Sequence, residues 1–99
     1  MTINVERDFE LVTLEITGRL DTTTAPNLES VVNALSEDTK EIIFDMSGVE
    51  YISSAGLRVL LGAYKKMNLN QGTMRIKKVN DMVREVFQMT GLSEMLVEE

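Results

Sequence analysis

The sequence contains no cysteine and no histidine. Without cysteine there is neither a disulfide frame nor a thiolate zinc site. Without histidine the commonest general base and metal ligand is missing, and with it every Ser–His or Cys–His nucleophile pair. A single proline, Pro26, stands where a helix should begin rather than in a linker. No stretch of about 18 apolar residues occurs, and no basic-then-apolar segment opens the chain, so membrane insertion is not expected and the expected location is the cytoplasm. Basic residues are also scarce: 10 Lys and Arg against 16 Asp and Glu leave a net charge of −6. That balance argues against nucleic acid as a direct ligand, which needs a basic patch. It suits a partner with a basic surface.

What is present is an ordinary globular composition, 43% apolar and 26% charged, too apolar for a disordered chain. Its 99 residues fit one domain, spanning 1–99, with a single core. Ile3 to Glu6 reads as a short strand, Arg7-Asp8 as a turn, and Leu11 to Thr17 as a second strand ending at Gly18. So short a connection makes them an antiparallel hairpin. Leu28, Val31, Val32 and Leu35 follow at the spacing of one helix face. Pro26 suits the first turn of that helix, Thr24 or a neighbour can cap it, and Glu37-Asp38-Thr39 ends it. Glu41 to Met46 is a compact apolar run, expected as a buried central strand. Ser47 to Ser53 reads as a loop that turns at Gly48. A second helix carries Leu57, Leu60, Leu61 and Tyr64 on one face and breaks at Asn70-Gln71-Gly72. Thr73 to Val79 is a strand. Asn80 or Asp81 caps a third helix with the stripe Val83, Val86 and Phe87. Gly91 fits the left-handed position after that helix, and Leu92, Met95 and Leu96 pack a final short element. The order β-β-α-β-α-β-α implies parallel pairing across the helices. The expected architecture is an α/β domain, a four-stranded mixed sheet with helices packed against it.

If the strands ending at Thr17 and Met46 are parallel, their following loops share the carboxyl end of the sheet, where open α/β sheets place ligands. Both loops, 18–25 and 47–56, are rich in hydroxyls and lead into helix N-termini. Ser53 and Ser54 allow two readings. One of them caps the helix beginning near Ala55 or Gly56. Alternatively, one accepts a phosphate, which would meet the positive end of the helix dipole and free N–H groups. Asp21 is either a turn or capping residue or a binding residue. Thr22 and Thr23 read as solvated. Arg58 lies off the apolar face, either merely exposed or touching a partner. Asp45 and Glu50 are neighbours in sequence only and do not make a catalytic pair. The seven Met residues fall in apolar stripes as core filler.

The segment Phe44-Asp45-Met46-Ser47-Gly48-Val49-Glu50-Tyr51-Ile52-Ser53-Ser54-Ala55-Gly56-Leu57-Arg58-Val59-Leu60-Leu61 resembles the signature of STAS-domain anti-sigma-factor antagonists. Gly18 to Ala25 resembles a second block of that family, and Met89-Thr90-Gly91-Leu92 its closing helix end. The resemblance implies a phosphoacceptor two positions before the glycine, which is Ser54 here. It also implies interface roles for Asp21 and Thr24, and it places Ser53, Gly56 and Arg58 within the binding segment. The residue before the acceptor is often acidic in the family; here it is Ser53, a competing acceptor. A member of the family is a binding module, not an enzyme, and needs no cofactor or metal. Unphosphorylated, it would hold an anti-sigma factor that is also a serine kinase and so free a sigma factor. The kinase would phosphorylate Ser54 with ATP, and a metal-dependent serine phosphatase would reset the cycle. The alternative is a structural subunit, since stand-alone STAS domains also resemble a cytoplasmic component of lipid-transport ABC complexes.

Overall fold

Strict alternation sets the sheet. In the second strand Val12, Leu14 and Ile16 are buried, while Leu11, Thr13 and Glu15 between them are half-exposed. In the third, Ile42, Phe44 and Met46 are buried and Ile43 and Asp45 are not. A period of two with one apolar face is what a sheet covered on one side requires. The structure, a computed structural model, describes residues 1–96. Its elements are β1 (Thr2–Asp8), β2 (Leu11–Leu20), α1 (Ala25–Asn33), β3 (Glu41–Ile52), α2 (Ser54–Leu69), β4 (Thr73–Lys77), α3 (Asp81–Met89) and a 3₁₀ turn, Ser93–Met95. The strands lie in the order β1-β2-β3-β4, with β1–β2 antiparallel and β2–β3 and β3–β4 parallel. This is the expected α/β mixed sheet. Its buried face forms one cluster with Leu28 and Val32 of α1, Leu57, Leu60, Ala63 and Met67 of α2, and Val83 and Phe87 of α3.

Helix ends follow local chemistry. Asn80 caps α3, its side-chain oxygen accepting from the Val83 N–H at 2.8 Å, while its amide donates to the Val49 carbonyl at 3.0 Å. Gly91, with φ 75°, closes the helix. The Leu92 N–H returns to the Phe87 carbonyl at 2.9 Å and the Gly91 N–H to that of Gln88 at 3.3 Å, the paired bonds of a Schellman end. α1 has no basic residue in its last turn; Lys66 of α2 supplies one, donating to the Val32 carbonyl at 3.0 Å.

Several expectations are corrected. The hairpin turns at Phe9-Glu10, not Arg7-Asp8, because pairing continues to Asp8↔Leu11; Phe9 takes φ 57°. β3 is central in the sheet but buried on one face only. It does not end at Met46, nor β2 at Gly18: both run on through register shifts, pairing Thr17 with Gly48 and Leu20 with Ile52. Gly48 is therefore not a turn residue. It lies in a strand where an added Cβ would come within 2.5 Å of Thr17 Cγ2. α1 stops at Asn33, so Leu35 is buried from the connection that follows. β4 stops at Lys77, before Lys78 with its φ of 63°. The core face of α2 is rotated. Val59, Ala63 and Met67 are buried with Leu57 and Leu60, whereas Leu61 is half-buried and Tyr64 exposed. α2 packs on β3, β4 and α1 at once, so its buried strip is wider than a single stripe. Val31 and Val86 are likewise half-buried at the edge of the core.

Candidate functional site

The extended pairing of β2 and β3 shortens both loops and brings their ends together. Leu20 and Ile52 are register partners, so Asp21 and Ser53 leave the sheet side by side. The Ser53 N–H donates to the Leu20 carbonyl at 2.9 Å, a direct link between the two connections. The edge thus formed is the carboxyl end of the parallel strands, as the topology requires.

The first connection is organised by Asp21. One carboxylate oxygen accepts from the Thr23 hydroxyl at 2.7 Å, the Thr23 N–H at 3.0 Å and the Thr24 N–H at 3.2 Å. The Thr23 hydroxyl, aided by the two backbone donors, holds the carboxyl below the usual carboxylate range against a smaller opposing effect of burial. The other oxygen lies 3.7 Å from Arg19 Nε, and the Arg19 guanidinium stacks 4.4 Å over the Tyr51 ring. Thr24 occupies the N-cap position of α1 without capping it. Its hydroxyl donates back to the Arg19 carbonyl at 2.8 Å and accepts from the Asp21 N–H at 2.8 Å. Asp21, not Thr24, thus satisfies the N–H groups ahead of the helix.

The second connection is a single residue. Ser53, extended at φ −100° and ψ 174°, is the N-cap of α2, its hydroxyl accepting from the Gly56 N–H at 3.4 Å. Ser54 is the first residue of the helix and is exposed. Its hydroxyl makes no hydrogen bond among the described residues. Gly56 lets the first turn sit on β2: a Cβ there would fall 2.7 Å from Leu20 Cγ and 3.0 Å from Ile52 Cγ1. Ala55 and Arg58 follow, Arg58 exposed.

Two shallow grooves flank this turn. One, of about 260 Å³, is lined by Ser54, Leu57, Arg58, Leu61, Thr90 and Leu92. The other, of about 140 Å³, runs between α1 and α2 past Thr22, Pro26, Glu29, Ala55 and Arg58. The structure therefore gathers Asp21, Thr24, Ser53, Ser54, Gly56 and Arg58 at one edge. It adds what sequence reasoning missed: Thr23 as the holder of Asp21, the Arg19–Tyr51 stack, and the apolar wall from Leu61 and Leu92. An Asp followed two residues later by Thr is itself the sign of such a turn. Asp45 lies elsewhere, mid-strand, 3.8 Å from Lys78. Among the described residues no three acidic side chains converge as a metal site would require. No helix among them is long and apolar enough to cross a membrane.

A mixed four-stranded sheet of this order with three helices has the fold of a STAS domain. The model of that family matches residues 2–98, and the chain belongs to it. Within the family it is similar to an anti-sigma-B factor antagonist of Staphylococcus aureus (strain NCTC 8325 / PS 47). The two are 30% identical over 99 residues, covering 97% of this chain and 92% of the relative. Among solved structures it is similar to the anti-sigma factor antagonist SpoIIAA in its unphosphorylated form. The TM-score is 0.88 at 21% identity, over 99% of this chain and 88% of that one. The phosphorylated form of SpoIIAA, a Bacillus cell fate determinant, matches with a TM-score of 0.81 at 19% identity, over 99% and 91%. At these identities the two structures show a shared fold.

Proposed function

We propose that this chain is an anti-sigma-factor antagonist, a phospho-regulated binding module. It holds an anti-sigma factor with serine kinase activity when Ser54 is unmodified and releases it when Ser54 carries phosphate. The observation that carries this reading is the division of labour between two adjacent serines. Ser53 caps α2 and belongs to the fold, whereas Ser54 is exposed and its hydroxyl makes no hydrogen bond among the described residues. Relatives named for antagonism of an anti-sigma factor, over nearly the whole chain, support the choice of partner.

In the transfer, Ser54 Oγ bonds to the γ-phosphorus of ATP, the bond to ADP breaks, and the hydroxyl proton is released. The product stands in the first turn of a 16-residue helix, where negative charge is favoured. The fold tolerates it. The docking edge gains about −1.5 to −2 charge, which acts on the partner through desolvation and like-charge repulsion. Asp21, Ser54 and Arg58 present side chains to the partner. Thr24, Ser53 and Gly56 hold the two connections that carry them. A serine phosphatase reverses the modification. The domain itself binds rather than catalyses.

Incubation with the cognate anti-sigma factor and ATP should add one phosphate, mapped by peptide mass spectrometry to Ser54. Ser54→Ala should stay folded and remain bound in the presence of ATP, and Ser54→Asp should bind more weakly in calorimetry. Phosphate on Ser53 with undiminished binding by Ser54→Asp would overturn the assignment. Phosphate on neither serine would favour a structural subunit of a lipid-transport ABC complex.

A further inference from the structure

Among the described residues, Arg58 is the guanidinium that this edge leaves without an ion-pair partner. Arg19 lies 3.7 Å from Asp21 and 4.4 Å over the Tyr51 ring. Arg58 is exposed and has no ion-pair partner among the described residues. Ser54 and Arg58 stand one turn apart on α2, with Ser54 toward the N-terminus. At that spacing Cβ atoms are about 5–6 Å apart, and an acidic group N-terminal to a basic one is the favourable order. Helical side chains lean toward the helix N-terminus, so Arg58 leans over the turn that carries Ser54. Both line the same groove, whose other walls include Leu57, Leu61 and Leu92. The groove is shallow and both residues are exposed, so a charge pair formed there is solvent-screened and sensitive to salt. A carboxylate that shares the smaller groove with Arg58 is that of Glu29, on α1.

We infer that a phosphate on Ser54 is clamped within the chain by the Arg58 guanidinium, so that modification both adds negative charge to the edge and withdraws an exposed cation from the partner. The inference rests on Ser54 as the phosphoacceptor and deepens that reading. The planar fork of a guanidinium matches two phosphate oxygens at once, and a dianion one turn away outcompetes a single carboxylate on another helix. One modification then changes two contacts. An acidic group of the partner that met Arg58 finds it occupied, and whatever faced Ser54 meets a phosphate.

The test does not need the kinase. Phosphoserine is installed at position 54 of the full chain by codon suppression, in the parent and in Arg58→Gln and Arg58→Lys. The ³¹P shift is then titrated with pH. Phosphoserine alone takes up its proton near pH 6. Clamping favours the dianion, so the parent midpoint should lie below that of Arg58→Gln by about 0.3 pH unit or more. Arg58→Lys should recover part of the gap. Salt at about 1 M should narrow it, because the Debye length falls to about 3 Å. Unchanged circular dichroism in Arg58→Gln would exclude loss of α2 as the cause. Equal midpoints in the parent and Arg58→Gln would overturn the clamp and leave the Ser54 assignment intact. Kinase-transferred phosphate mapped to another residue would overturn that assignment, and with it any use of the clamp, even where the midpoints differ.

Discussion

Two glycines on α2 turn the geometry of the site into opposite signs for one substitution. At Gly62 an added Cβ meets nothing within 4 Å. Gly62→Ala should therefore stabilise by about 0.5–1 kcal/mol, through helix propensity and a less mobile unfolded chain. Gly56 lies on the same helix, but its Cβ would stand 2.7 Å from Leu20 Cγ and 3.0 Å from both Ile52 Cγ1 and the Leu20 carbonyl oxygen. None of these is a flexible tip. Leu20 and Ile52 are fully buried, and the Leu20 carbonyl already accepts from the Ser53 N–H. Overpacking of this kind costs about 1–3 kcal/mol. Less the same propensity gain of about 1 kcal/mol, Gly56→Ala should lose about 0–2 kcal/mol. The two variants should differ by about 1–3 kcal/mol, equivalent to roughly 4–24 °C in melting temperature for a domain of this size. Urea and thermal unfolding of both, beside the parent, measure that difference. Gly56→Ala should also weaken partner binding, because Leu20 anchors both connections, whereas Gly62→Ala should not. Equal stabilisation by the two substitutions would refute the close approach of α2 to Leu20.

Phe44 is wholly buried in the central strand. Phe44→Ala should cost about 3–5 kcal/mol of the 5–15 kcal/mol or so that a domain of this kind possesses; a melt like the parent's would contradict its place in the core. Asp21→Ala should lower the melting temperature, because two backbone N–H groups ahead of α1 lose their acceptor, and should weaken partner binding in calorimetry by more than that loss of stability, whereas equal losses of both would make Asp21 a structural residue alone. The carboxyl of Asp21 is held low in the folded chain, chiefly by the Thr23 hydroxyl. Its contribution to stability is therefore complete above the ordinary carboxylate range and lost as pH falls through the folded value. The stability gap between the parent and Asp21→Asn should be constant above about pH 4 and close below it. A gap that widens on acidification would show the opposite sign of shift.

Much of the fold was legible because local chemistry and global pattern agree. The second strand from Leu11, the Asn80 cap and the left-handed Gly91 all stand as their residue types predict. The failures share a cause. Gly18, Ser47 and Gly48 read as breakers, yet they lie where β2 and β3 shift register and continue. Glycine within a strand marks a bulge or a close approach as readily as an end, and only the partner strand shows which. The rotated face of α2 has a different origin. Ala63 and Gly56 are buried because they are small, and a count of large apolar residues passes over them.

Topology alone placed Asp21 and Ser54 at one edge, since parallel strands with helical crossovers must share their carboxyl ends. What it could not supply is how tightly that edge is tied. The Ser53 N–H reaches the Leu20 carbonyl, Gly56 packs on the Leu20 side chain, and the Ser53 hydroxyl caps the helix that both begin. These ties run through backbone, the buried Leu20 side chain and the half-buried Ser53 hydroxyl, and among the described residues none runs through the Ser54 hydroxyl. A phosphate placed there would break no bond that holds the helix and would stand where the helix dipole welcomes it. Little energy is then available to move the backbone. A switch built on this serine must act on whatever docks against it, by changing charge at the surface. That is why the exposed Arg58, one turn away on the same groove, bears on how the switch works.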